Sequence, residues 1–353
     1  MANTLILKLI IDDKGNKVLE ELPVKLNKAE KATWSLGKTL ERVFVSAVFL
    51  RGLSKFNEAL QTTISEVSKF EQANRKLEGI AGVSGSALQK ISKEAINLSN
   101  KTEFLASSLQ EANLALTKMG IAPQIASQAL PILADMATAT GMEIKHVSTV
   151  VLDIMRQFGM DYTNMAEVQR AANVLFQVEA QTSIDNFEEV AEALKYVGPI
   201  AKTVGIQFEE VIAILGVLAD RGIKSSLAGN AMKNMFLNIL QSSPKVAAEL
   251  KKMDLEGKSF SAILEELKDR GLKVTDFLET FEKRAIVSAL VLADSRKETE
   301  DFTESLKRQD VKISDVSEKI RGSWINQLLI LRNTFINLGI TWEYIMENNF
   351  GVN

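Results

Sequence analysis

Cysteine is absent from the chain, which removes disulfides, thiol nucleophiles and thiolate metal ligands together. The lack fits a protein made in a reducing cytoplasm and equally one that avoids thiols. Histidine occurs once, at His146. A zinc site would have to gather carboxylates around that single imidazole, and a Ser-His-Asp set could use no other ring. His146 lies in the polar stretch Glu143-Ile-Lys-His146 with no G-x-S-x-G motif near it, so it reads as a surface helix residue. Proline totals five and aromatics 6% of 353 residues. Scarce proline beside abundant Ala, Leu, Glu, Lys and Ser favours helix throughout. The net charge of −3 leaves no basic footprint, so no specific nucleic-acid binding is expected. Long apolar runs are missing as well. Residues 5–11 fall far short of the ~20 a membrane helix needs and lack the basic segment that precedes a signal-peptide core. The run nearest that length, 324–340, is interrupted by Arg332.

What is present is a repeated helical device. Residues 194–240 read as short helices joined by glycine stops. Phe208, Val211, Ile212, Leu215 and Leu218 form an apolar stripe at helical spacing. Gly205-Ile206 precedes that helix and Gly222-Ile223 follows it. A glycine at C′ with an apolar residue at C″ is how a Schellman motif ends a helix. The same pair recurs at Gly120-Ile121, Gly141-Met142, Gly159-Met160 and Gly271-Leu272. Capping-box patterns open several helices: Ser86 with Gln89, Ser108 with Glu111, Asn164 with Glu167, and Asp185 with Glu188. Ser225 or Ser226 caps the helix that carries Ala228 and Gly229, small residues that admit a close neighbour. Stripes such as Ile144, Val147, Val151, Ile154 and Phe158 step by three and four. Successive short helices of this kind make a compact domain, not a rod.

The flanks differ. Residues 4–11, the turn signal Asp12-Asp13-Lys14-Gly15-Asn16 and residues 17–26 admit two readings, a small N-terminal β-hairpin that pairs or packs elsewhere, or a disordered end. From Asn27 a long helical pattern follows, with apolar or small residues recurring from Leu36 to Phe70 at a mean step of about 3.4, close to the ~3.5 of a coiled-coil seam. Self-association and internal packing both explain it. Gly79 to Ser86 is glycine-rich, but no Lys-Ser/Thr follows and no firm strand precedes it, so it reads as a linker and not a phosphate loop. Beyond Gly271 longer helices are expected, with the charged span 295–319 as a solvated face or linker. Trp324, Ile325, Leu328, Leu329, Leu331, Phe335, Leu338, Trp342 and Ile345 give the last helix a wide apolar face. That face needs cover from its own domain, another subunit or a membrane surface. The fold class expected is all-α: a helical domain of short amphipathic helices flanked by long helices. The division expected is 1–26, 27–80, 81–273 and 274–353.

GIQFEEVIAILGVLADRGIKSSLAGNAMKNMFLNIL, residues 205–240, resembles the core region of phage tail tape measure proteins. Gly205, Glu209, Glu210, Leu218, Gly222, Ile223, Ser226, Ala228 and Gly229 match its ordered pattern. Asn230 and Met232 stand where Thr and Leu are usual. A second segment, 98–142, is similar through Thr102, Phe104, Gly120, Ala137, Ala139 and Gly141, and the "W-x-x-x-L-x-x-L-x-N" segment after the core also has its counterpart. The resemblance runs from about Phe70 to about Ala293. It implies a structural protein of the virion tail, made in the bacterial host cytoplasm. There it would lie in the tube lumen, help set tail length and leave during genome delivery. It also implies partners: tail tube and baseplate or tail-tip proteins, with homo-oligomers and a host-membrane contact through the C-terminal helix as further expectations. A self-associating helical scaffold and a membrane-active helical protein are the alternatives. The adjacent pairs Glu209-Glu210 and Glu265-Glu266 do not face each other on a helix and make poor acid-base dyads. No catalytic, cofactor-binding or metal residue is expected, and no enzyme activity.

Overall fold

The computed structural model describes the backbone of residues 3–11, 17–25, 49–240, 260–269 and 283–350, and side chains chiefly within 63–237 and 285–341. The chain falls into two compact units, Met1–Ile64 and Ser65–Asn353. In the first, strands β1 (Asn3–Ile11) and β2 (Lys17–Lys25) run antiparallel, with Asn3 opposite Lys25 and Ile11 opposite Lys17. Their side chains and the intervening turn lie outside the described residues, and the hairpin stays a proposal. Residues 26–48, which hold the start of the 36–70 seam, also lie outside them.

The second unit is all-α among its described residues. Helix α1 (Phe49–Ala81), which belongs to this unit from Ser65 onward, is followed by α2 (Gly85–Ser99), α3 (Ala106–Lys118), α4 (Pro123–Thr140), α5 (Ile144–Phe158), α6 (Met165–Gln181) and α7 (Phe187–Val204). Then come α8 (Phe208–Asp220), α9 (Ser225–Leu240), α10 (Phe260–Asp269), α11 (Lys283–Asp294), α12 (Arg296–Arg308), α13 (Ile313–Arg321) and α14 (Trp324–Phe350). The glycine stops explain the short lengths. At the end of α8, Gly222 takes φ 80°, its N–H donates to Ala219 O at 2.8 Å and Ile223 N–H donates to Leu218 O at 2.9 Å. That is the paired bonding of a Schellman motif, and a side chain with Cβ is strained at such a φ. The ends at Gly120, Gly159 and Gly205 bond in the same paired way, and Gly141 shares the positive φ and the longer bond. Gly271 lies outside the described residues.

Helix starts depart further from expectation. Asn164 caps α6 by accepting from Ala166 N–H at 3.0 Å, while Glu167 turns to Arg170. The cap of α7 is Asn186, accepting from Glu189 N–H, one residue beyond the Asp185–Glu188 pair. Ser86 and Ser108 lie inside α2 and α3, whose cap positions are Ser84 and Leu105 without a side-chain bond. Ser225 opens α9 with a left-handed φ of 52°.

Residues 295–319 are not a linker. They form α12, α13 and the turn between them, and Thr299, Thr303, Leu306, Ile313 and Ser317 are buried. Their charges lie on the opposite face, the ordinary division of an amphipathic helix. Longer helices were expected after Gly271; among the described residues three short ones, α11 to α13, precede the 27-residue α14. One core runs through the unit, with α8 at its centre against α6, α7, α9, α11 and α12.

Candidate functional site

The residues of the 205–240 pattern converge on α8 and its neighbours, where they pack helices together or stop them. Every residue of α8 from Val211 to Ala219 is buried. A helix that is apolar all round must lie inside, and its few polar groups then need partners. Glu209, 3% exposed, accepts from Arg170 of α6 at 2.7 Å, and Arg170 reaches Glu167 at 2.8 Å. Glu210 accepts from Phe260 N–H, the first residue of α10, at 2.5 Å. The adjacent carboxylates therefore serve two different helices and form no dyad. Burial pushes the Glu210 carboxyl above its ordinary range, against the lowering effect of that hydrogen bond. Burial likewise raises Glu179 of α6, which accepts from Phe187 N–H at 3.0 Å.

Gly229 marks a close crossing of two helices. A Cβ there would stand 2.3 Å from Ala193 O and 2.7 Å from Ala193 Cα, so α9 and α7 touch through their backbones. At Gly216 a Cβ would meet Thr182 Cγ2 at 2.8 Å and Phe302 Cε1 at 3.0 Å. These glycines are required by helix approach, not by a ligand.

The remaining sequence candidates are dispersed. His146 contacts Glu188 of α7 and is partly exposed in a shallow groove with Asp153, Glu192 and Lys195. Glu265 pairs with Arg296 at 2.6 Å. Gly79 lies within α1 and a helix precedes Gly82, so the glycine-rich stretch joins two helices. The larger groove, about 590 Å³, is lined by residues including Arg170, Lys202 and Lys307 and by the carboxylates of Asp161, Glu167 and Glu209. Its charges balance, which suits a solvated cleft. Among the described residues no cluster of three metal-ligating side chains occurs, and no helix is long and apolar enough to cross a membrane.

Sequence reasoning missed a set of buried polar side chains that hold the C-terminal helices on the core. Asn173 donates to Gln309 Oε1 at 2.5 Å and accepts from Ile313 N–H at 3.1 Å. Gln177 donates to Ser305 Oγ at 2.7 Å and accepts from Val311 N–H at 3.3 Å. Together they fasten the α12–α13 turn, where Gln309 takes a left-handed φ of 52°. Arg321 binds Asp135, Glu103 at 3.3 Å and Thr138 Oγ1 at 2.8 Å. Asn333 donates to the carbonyls of Thr102 at 3.1 Å and Phe104 at 3.0 Å, and Asn337 to Asn100 Oδ1 at 2.8 Å. The available signal was in α6: a helix with apolar residues on both sides of Asn173 and Gln177 leaves those amides no route to water.

A family model described as phage-related minor tail protein matches residues 92–319. The tape measure protein of Pneumococcus phage Dp-1 is 24% identical over 294 residues, covering 79% of this chain and 25% of that protein. The probable tape measure protein of Escherichia phage P2 is 24% identical over 190 residues, 53% of this chain and 23% of that protein. No solved structure matches. The chain spans about a quarter of the length of these curated relatives.

Proposed function

Because this chain belongs to the phage-related minor tail protein family, we propose that it acts as a structural tail tape measure protein, or as the compact helical part of one. In this reading it lies in the lumen of the tail tube, helps set tail length and is released when the genome is delivered. It is made in the host cytoplasm, and its partners are tube and baseplate or tail-tip proteins and further copies of itself. The four-part division, the N-terminal hairpin and the 36–70 seam as a self-association element belong to the same proposal. The observation that carries it is the position of the family match. It covers α3 to α12 whole, the second half of α2 and most of α13, and the pattern residues within it are structural: Glu209 and Gly229 join helices, and Gly222 stops α8. A chain whose recognisable residues build a scaffold is a structural component, and no catalytic role is proposed.

Helix lengths support a limit on the ruler. At ~1.5 Å per residue the 33 residues of α1 and the 27 of α14 reach only about 50 Å and 40 Å. Tail length in this proposal is therefore set by more than this helical unit. The test is protease protection of purified tails, with the chain followed by mass spectrometry. The expected result is a chain present in every particle, resistant while the tube is closed and lost once the genome has left. A chain absent from particles, or digested while the tube is intact, would overturn the proposal and favour a free scaffold.

A further inference from the structure

Helix α14 is oriented against its own hydropathy. Asn333 and Asn337 are buried with Ile336 and Ile340, while Trp324, Ile325, Leu328, Leu331, Phe335 and Leu338 are exposed, Trp324 to 76%. The exposed apolar residues are not scattered. Trp324, Leu328, Leu331, Phe335 and Leu338 step by 4, 3, 4 and 3, and the sequence continues the alternation at Trp342 and Ile345. That is the a/d spacing of a heptad repeat, which keeps one seam facing another helix. With Leu328 and Phe335 at a and Trp324, Leu331 and Leu338 at d, the buried Asn333, Ile336, Asn337 and Ile340 fall at f, b, c and f. The core holds the face that a coiled coil leaves free, and the face a coiled coil uses is open.

We propose that the a/d face of α14 is a docking surface for the same helix of a second copy of this chain, paired in parallel. Charge supports that occupant. Between Gly322 and Thr341 the only charged residue is Arg332. At position e of a parallel pair it faces Gln327 at g of the second copy, so no like charges meet. A membrane surface fits less well, because interfacial helices flank their apolar face with Lys and Arg, and here the opposite face is asparagine fastened to the core. The area sets the strength. Trp324 and Phe335 offer part of the roughly 150–250 Å² an aromatic side chain can bury. With three leucines the strip stays below the ~800 Å² per partner of a standard interface. Pairing is therefore weak in dilute solution and forms at high local concentration.

The absence of native cysteine makes the test direct. Single-cysteine full-length variants L331C and L338C place a thiol at successive d positions, and K319C places one on the exposed part of α13. Under mild oxidation, covalent dimers are expected at both d positions at least ten times faster than at 319. Adding Leu328→Glu and Phe335→Glu should return the rate to that of K319C, with helix content unchanged by circular dichroism. Equal rates at all three positions would overturn the proposal, and cross-linking at only one d position would overturn the parallel register. Co-sedimentation of the cysteine variants with vesicles of mixed zwitterionic and anionic phospholipid, without rapid cross-linking in their absence, would overturn it in favour of a membrane.

Discussion

Helices α8 and α14 are both rich in large apolar residues, and the fold uses them in opposite ways. In α8 the apolar residues are inside on every side, and the carboxylates of Glu209 and Glu210 are brought in with partners. In α14 the amides of Asn333 and Asn337 are inside and the leucines and aromatics are out. Hydropathy alone does not orient a helix. What decides is which groups on the neighbouring surface need satisfying. The surface under α14 presents the open carbonyls of Thr102 and Phe104, which an asparagine answers and a leucine cannot.

The contrast is broken most sharply by equal substitutions in the two helices. Leu218→Ala in α8 is expected to cost about 2–5 kcal/mol, the range for a fully buried leucine. Leu331→Ala in α14 should stay within about 0.5 kcal/mol at protein concentrations too low for pairing. Urea unfolding of the two variants checks this, and equal losses would mean that α14 is covered within its own chain. Asn333→Leu sharpens the point, because it raises hydrophobicity yet should cost about 1–3 kcal/mol by leaving two carbonyls without their donor. A stabilised variant would refute the account of why α14 faces as it does.

Gly222→Ala should cost about 1 kcal/mol, since the left-handed φ is strained for alanine although no atom lies within 4 Å of the added Cβ. A thermal melt unchanged from the parent would show that the stop does not depend on glycine. The smallest effect is expected at Glu210. Burial raises its folded pKa, so the stability linked to its proton is fully present below the ordinary glutamate range. It is lost as pH rises through the raised value. Glu210→Gln keeps an acceptor for Phe260 N–H and removes the titration. Its melting temperature should match the parent near pH 4 and exceed it at pH 7.5. A gap that does not grow between those pH values would contradict the shift.

Local features were the most legible. The helix ends at Gly120, Gly205 and Gly222 could be read from two adjacent residues because a Schellman motif is closed by its own last turn. Caps were less so: the Asp185–Glu188 and Asn186–Glu189 patterns are equally good on paper, and Asp185 is drawn off to Lys224 at 3.0 Å. For the span 295–319 the sequence left a solvated helical face and a linker open, because threonine and serine fill its inner face and small polar residues carry little hydropathy signal; the helical face is what forms. For the same reason, added heptads near Gln309 are not expected to act as a spacer. They would displace the turn that Asn173 and Gln177 hold. Least legible were the partners of Asn333 and Asn337, because long-range hydrogen bonding leaves no periodic trace in a chain.

The asparagine clasp also has a consequence in time. Asn333 lies 231 residues after Thr102, and Asn337 lies 237 residues after Asn100. At ~5–20 residues per second a ribosome needs roughly 10–50 s to travel that distance. During that interval Asn333 is not there to serve the carbonyls of Thr102 and Phe104. The loop between α2 and α3 is thus locked by a helix synthesised more than 200 residues after it, and its closure must wait for that helix.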